Sequence, residues 1–297
     1  MSDPTSENAA FAEIWHRACR RQVKRTRQAL VGKISAELAT QQARSGMKRT
    51  RALLLLARAN LGKRVASRLD HGLAGIARAL AGKRDLQSML ETLNTSLAAP
   101  MADTQSRALV RLRQRIIANL PDELEEASQT NPADSILPEL QAIRAEIKAM
   151  QTLAPSAADA ARRATMIYRK ARTAMREAYK SMDGEDFHQW RKLAQRHLRH
   201  LELFQMAGHA GLTSRIQLAR NIVQLLGEDH DLALIAGFAA GKIPQQLNGQ
   251  LRPDEVAVIH LFIGTRQQQI RSAIQEPGAQ LFGISRKALR NHLLATD

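Results

Sequence analysis

FHQWRKLAQRHLRHLELF, residues 187–204, places an apolar side chain at every third or fourth position inside a stretch free of proline, residues 156–243. That spacing predicts one long helix with a buried side formed by Trp190, Leu193, Ala194, Leu201 and Phe204. At 3.6 residues per turn, His188, Arg191, Lys192, Gln195 and Arg199 fall within an arc of about 100° on the other side, with Arg196 beside them. A second stretch, TQQARSGMKRTRALLLL at 40–56, collects Gln41, Arg44, Lys48 and Arg51 within about 80° by the same construction. Faces so cationic cannot be buried without anions to meet them.

Working outward, residues 5–99 are also free of proline, and both proline-free stretches are rich in Ala, Leu, Arg, Lys and Gln, the good helix formers. No segment sustains the two-residue alternation of a strand. The chain is therefore expected to be all-α, with about a dozen helices broken at turns such as Gly62-Lys63, Gly208 to Gly211 and Gly241 to Pro244.

The 297 residues carry 44 Lys and Arg against 28 Asp and Glu, a net charge of +16. Such an excess favours polyanionic partners: nucleic acid, an anionic membrane surface or inorganic phosphate chains. One cysteine, Cys19, excludes an internal disulfide and a multi-cysteine zinc site. No apolar run approaches the roughly 18 residues needed to span a bilayer. MSDPTSENAAFAEIW lacks the basic and apolar regions of a secretory signal, so the expected compartment is the cytoplasm.

Charge is uneven along the chain. Residues 1–120 and 158–297 are basic, whereas the proline-containing residues 121–157 are acidic. Arg25-Thr26 recurs 147 positions later as Arg172-Thr173, the two basic faces keep the same offset, and LAGKRDL at 80–86 returns as LGEDHDL at 226–232. One order and one register point to an internal duplication. The expected organisation is a disordered tail at 1–9, a first helical half at 10–120, an acidic connector at 121–157 and a second half at 158–297.

The second half resembles the CHAD family, the conserved histidine α-helical domain, through Tyr168-Arg169-Lys170-Ala171-Arg172, His188-Gln-Trp-Arg191-Lys192 and Leu226-Gly-x-x-His230-Asp231-Leu232. The first half is similar through Arg44, Lys48, Arg49 and Arg51, then Leu80 to Leu86. It departs at Gln41, where the family has histidine, and at Ala81, where it has glycine. The resemblance implies two pseudo-symmetric helical bundles around a basic central pore or groove. It further implies capture of inorganic polyphosphate without catalysis or cofactor, and association with polyphosphate granules.

A charged helical face is most simply a solvated one, and it is the duplication and the resemblance that turn the reading toward binding. The residues expected to line the site are Arg44, Lys48, Arg51, His188, Arg191, Lys192, Arg196 and Arg199. Arg169, Arg172 and Arg176 share a side of the preceding helix, and Arg21, Lys24 and Arg25 are their first-half counterparts. Arginine offers a planar fork for two oxygens, lysine a point charge. His188 either contacts phosphate or orients the site, while Tyr168 is expected to pack. His197, His200, His209 and His230 show no diagnostic ligand spacing, and their arginine neighbours oppose a divalent ion. Asp85 and Asp231 are read as helix starts. No nucleophile and base arrangement and no phosphate-binding glycine loop is recognisable. Nucleic acid is the alternative partner, although the 3% aromatic content disfavours base stacking.

Overall fold

The computed structural model describes residues 4–32, 34–80, 82–119, 132–241 and 251–295. Among these residues are eleven α-helices, one 3-10 turn at Met150–Leu153 and no strand. In chain order they are α1 (Pro4–Val31), α2 (Ala36–Leu56), α3 (Arg58–Ala79), α4 (Gly82–Leu97), α5 (Asp103–Ile117), α6 (Pro132–Ala149), α7 (Ala157–Ser181), α8 (Gly184–Met206), α9 (Thr213–Ala239), α10 (Pro253–Phe282) and α11 (Arg286–Leu294).

Local chemistry sets the ends. Ser35, Ser156 and Ser285 each accept a backbone N–H from three residues on, capping α2, α7 and α11. Asp183 accepts from Glu185 N–H at 2.7 Å to begin α8, while Met182, left-handed at φ 55°, closes α7. The expected hairpin around Asp183-Gly184 is thus formed. Gly208 and Gly211, at φ 85° and 69°, make the turn from α8 to α9. Gly62, at φ 74°, kinks α3 where a stop was expected. Residues 4–9, expected as a tail, belong to α1, which begins on Pro4, a residue suited to the first helical position.

The same neighbour pattern occurs twice along the chain. α1 packs along α2, and α7 along α8; α6 closes on α1 as α11 does on α7; α4 pairs with α5 and α9 with α10. His16 Nε2 donates to Ile147 O at 2.9 Å, tying α1 to α6. Tyr168 Oη donates to Ile284 O at 2.8 Å, tying α7 to the segment before α11. Two apolar cores result, and neither is confined to one half. The larger takes residues from α1, α2, α3, α6, α7, α8, α11, the first half of α9 and the end of α10, whereas α4, α5, the end of α9 and the first part of α10 enclose the smaller. Within residues 121–157, read as a connector, α6 buries Ile136, Leu140, Ile143 and Ile147, so this part is structural core.

The predicted inner side of α8 is realised: Trp190, Leu193, Ala194, Leu201 and Phe204 are all buried. Each large apolar side chain there contributes about 1.5–3 kcal/mol. Gly46 lets α2 approach α1, since a Cβ at that position would collide with Thr26 Oγ1. With their inner sides committed, α2 and α8 have only their basic sides left to form a site.

Candidate functional site

α2 and α8 meet at a fixed point. His200 Nε2 on α8 donates to Ala52 O on α2 at 2.9 Å, and Trp15 Nε1 on α1 donates to the next carbonyl, Leu53 O, also at 2.9 Å. Buried hydrogen bonds to carbonyls that leave their own helix hold the crossing in register. Cationic side chains gather around it in three clusters.

The first joins three helices. The rings of His188 (α8) and His230 (α9) stack with centroids 3.9 Å apart and an interplanar angle of 19°. Lys48 from α2, with Arg191 and Lys192 from α8, bears electrostatically on both rings. Burial lowers the His188 pKa, as do Lys192, Arg191 and Lys48, against the opposing pull of Glu185. Burial likewise takes His230 down to about 3, reinforced by His188 and the three cations. The Arg191 guanidinium lies against α9 at Gly227, where an added Cβ would stand in ordinary contact with it at 3.6 Å.

The second cluster is an ion pair with a companion. Arg51 grips Asp70 of α3 through Nε–Oδ1 at 2.7 Å and Nη2–Oδ2 at 3.0 Å. Burial raises the Asp70 carboxyl, and the hydrogen bond and charge of Arg51 outweigh it, so its pKa is lowered. Arg196 lies within reach of both partners; burial and then Arg51 lower its pKa, which Asp70 opposes.

The third cluster lines a cleft of about 450 Å³ between α1, α2, α8 and α9, with Arg21, Arg25, Arg49, Arg199 and Arg220 on its walls. Glu202 sits among them, accepting from Arg199 Nη1 at 2.6 Å and Arg220 Nη2 at 3.0 Å. Burial lowers the pKa of Arg49, with Arg199 next, because cations crowd there faster than the carboxylate neutralises them.

Lys48, His188, Arg191 and Lys192 thus come together, Arg51 meets Arg196, and Arg21, Arg25 and Arg199 share the cleft. Arg44 Nη1 donates to Leu80 O at 3.4 Å, which sets it against the end of α3. Lys24 is exposed on α1. The row on α7 departs from expectation: Arg169 and Arg176 are exposed, and Arg172 bears on Tyr168, so the described contacts place none of them in the three clusters. Tyr168, buried as expected, commits that part of α7 to the core. Gln41 lines an adjoining cleft of about 530 Å³ shared with Arg25 and Arg49.

Asp231 is not a helix start. α9 runs unbroken through it, and its carboxylate accepts from Ser88 Oγ of α4 at 2.9 Å. At LAGKRDL, α3 ends at Ala79 and α4 begins at Gly82; the Asp85 side chain lies outside the described residues. His230, Arg49, Asp70, Glu202 and Arg220 join these clusters although they were not among the residues expected to line the site. Glu202 stands three positions from Arg199, a spacing that pairs on a helix. Asp70 is 19 positions from Arg51, and no local pattern announces that contact.

Two deeper histidines serve the fold. His200 is fully buried and its pKa is pushed down by that burial to about 4, although its bond to Ala52 pulls the other way. His197 packs between Tyr168 and Phe282 and is held well below its ordinary value, again by burial first. Below pH 6.5 the unfolded chain therefore takes up protons that the folded chain refuses. Stability is expected to fall by about 1.4 kcal/mol per pH unit for each of these histidines until His200 itself protonates. Melting temperatures measured from pH 6.5 down to 4 check this, with a shallower decline expected for His200→Gln; a flat parental profile would contradict it.

The profile of the CHAD domain matches residues 15–240. The chain belongs to the CHAD domain family. That family is associated in general with polyphosphate binding and is generally not catalytic. The fold is similar to the crystal structure of the CHAD domain from the plant Ricinus communis, with a TM-score of 0.60, 18% identity, and coverage of 97% of this chain and 91% of that one. It is also similar to PptA from Streptomyces chartreusis, with a TM-score of 0.54, 15% identity, and coverage of 92% and 99%. At such identities the likeness concerns the fold. A comparison with curated proteins finds no match. Among the described residues, no helix of this CHAD protein is long and apolar enough to cross a membrane.

Proposed function

We propose that this CHAD protein captures inorganic polyphosphate without turning it over, in a basic groove or pore built where two duplicated halves meet. The supporting observation is that Lys48 of α2 and Arg191 and Lys192 of α8, helices distant in the chain, converge on one histidine pair formed by α8 and α9. A linear polyanion presents charge at regular intervals and needs donors on both sides; the Arg51–Arg196 and Arg25–Arg49–Arg199 groups supply more beside the same crossing. Asp70, Glu185 and Glu202 pair with some of these cations, and the phosphate oxygens replace or join them as the chain binds. Arg169, Arg172 and Arg176 extend the basic surface beyond the crossing.

The aromatic side chains fit this reading better than nucleic acid. Trp15, Trp190, Tyr168 and five phenylalanines are buried, which leaves them unable to stack on bases. A competition titration tests the choice: bound long-chain polyphosphate should resist displacement by DNA or RNA at equal phosphate concentration. Equal displacement would favour the nucleic-acid reading. We place the protein in the cytoplasm on polyphosphate granules, and a fluorescent fusion should lose its foci in cells that lack polyphosphate.

A further inference from the structure

We propose that the stacked His188–His230 pair is the proton-accepting part of the anion site, so that capture of a phosphate chain takes up protons and strengthens as the medium acidifies. The proposal rests on the polyphosphate reading above and makes His230 a binding residue contributed by α9.

Two imidazoles stacked at 3.9 Å would repel one another if both were charged. The groups facing them add to that pressure: Lys48 from α2, and Arg191 and Lys192 from α8. The carboxylates next to His230 along α9 are engaged elsewhere. Glu228 meets Arg266 at 2.7 Å and Asp229 meets Arg271 at 2.8 Å, both on α10, while Asp231 accepts from Ser88 on α4 at 2.9 Å. Glu185 is the carboxylate that bears on His188, and it is itself 3.5 Å from Lys192. Among the described residues, the two rings therefore stand amid cations that oppose their protonation.

A phosphate chain reverses that field. Its charges meet Lys48, Arg191 and Lys192 and turn the local potential from one that expels protons to one that attracts them. The bound-state pKa values of the rings then stand above the free-state ones. Between the two, binding consumes protons and affinity rises as pH falls; above the bound-state values the linkage vanishes, and it closes again near the free-state value, about 3 for His230. The device is one-sided. Gln41 stands 147 positions before His188, at the matching place of the first basic face, and a glutamine does not titrate in this range.

Calorimetric titration of the full chain with long-chain inorganic polyphosphate, at about pH 6 in buffers of different ionisation enthalpy, reads the proton count directly. The expected result is uptake of between about one and two protons, with affinity rising up to about tenfold per pH unit for each. In H188Q/H230Q, uptake and pH dependence both collapse. Protons exchanged by the chain ends are common to parent and variant and cancel in the difference. Equal uptake in the two proteins, or none in the parent, overturns the coupling; failure of the parent to bind at any pH overturns instead the polyphosphate reading. Histidine ring signals followed by NMR in the parent give a check independent of the variant's folding: titration midpoints unmoved by polyphosphate also overturn the proposal.

Discussion

R191A/K192A/R199A is expected to bind long-chain polyphosphate about a thousandfold more weakly than the parent. Hydrogen bonds to charged groups contribute about 1.5–3 kcal/mol each, and three are removed together. Arg191 and Lys192 come from the histidine cluster and Arg199 from the cleft, so the loss spans two of the three clusters. Because each phosphate contact releases counterion, the plot of log affinity against log salt should also flatten by about 2 in slope. All three side chains lie at the rim of the core, and helical content should persist. A folded triple variant with parental affinity would mean that the site lies elsewhere.

Asp229→Ala is expected to be the most destabilising polar substitution. Asp229 is 2% exposed, and Arg271, gripping it through Nε at 2.8 Å, also lies 4.2 Å over the Phe187 ring and donates to Met182 O. Burial raises the carboxyl's pKa while Arg271 opposes the shift, so the pair persists because each charge answers the other. Removing one partner leaves an uncompensated buried guanidinium, at a cost of about 3–5 kcal/mol and a fall in Tm on the order of 10 °C. Adding Arg271→Met should recover part of the loss, since an apolar replacement of both partners avoids the stranded charge. A single variant melting at the parental temperature would show the pair to be solvated.

The histidines and arginines were legible to different degrees. His188, Arg191 and Lys192 stand within one helical turn of each other, and helix geometry alone puts them on one side. His230 was visible in LGEDHDL, yet the Leu-Gly of that motif suggested a turn with a helix start at Asp231; the unbroken α9 instead carries its ring onto His188. The row on α7 shows the opposite failure. Arg169, Arg172 and Arg176 follow a clean helical period, but period specifies a side of a helix and not the neighbour which that side meets. Tyr168, bonded to Ile284 O before α11, sets the rotation of α7, and Arg169 and Arg176 are left exposed.

Helical identity, the buried sides of α7 and α8 and the excess of cationic surface follow from spacing and composition, since they depend on residues one to four positions apart. The pairing of Arg51 with Asp70, the seat of Glu202 between two arginines, the stacked histidines and the mixing of both halves in each core arise from contacts between distant segments. Those contacts are settled only when apolar sides close on one another and fix which polar groups are brought within a few ångströms. A one-dimensional pattern carries the strength of that driving force but not the direction in which each helix finally faces.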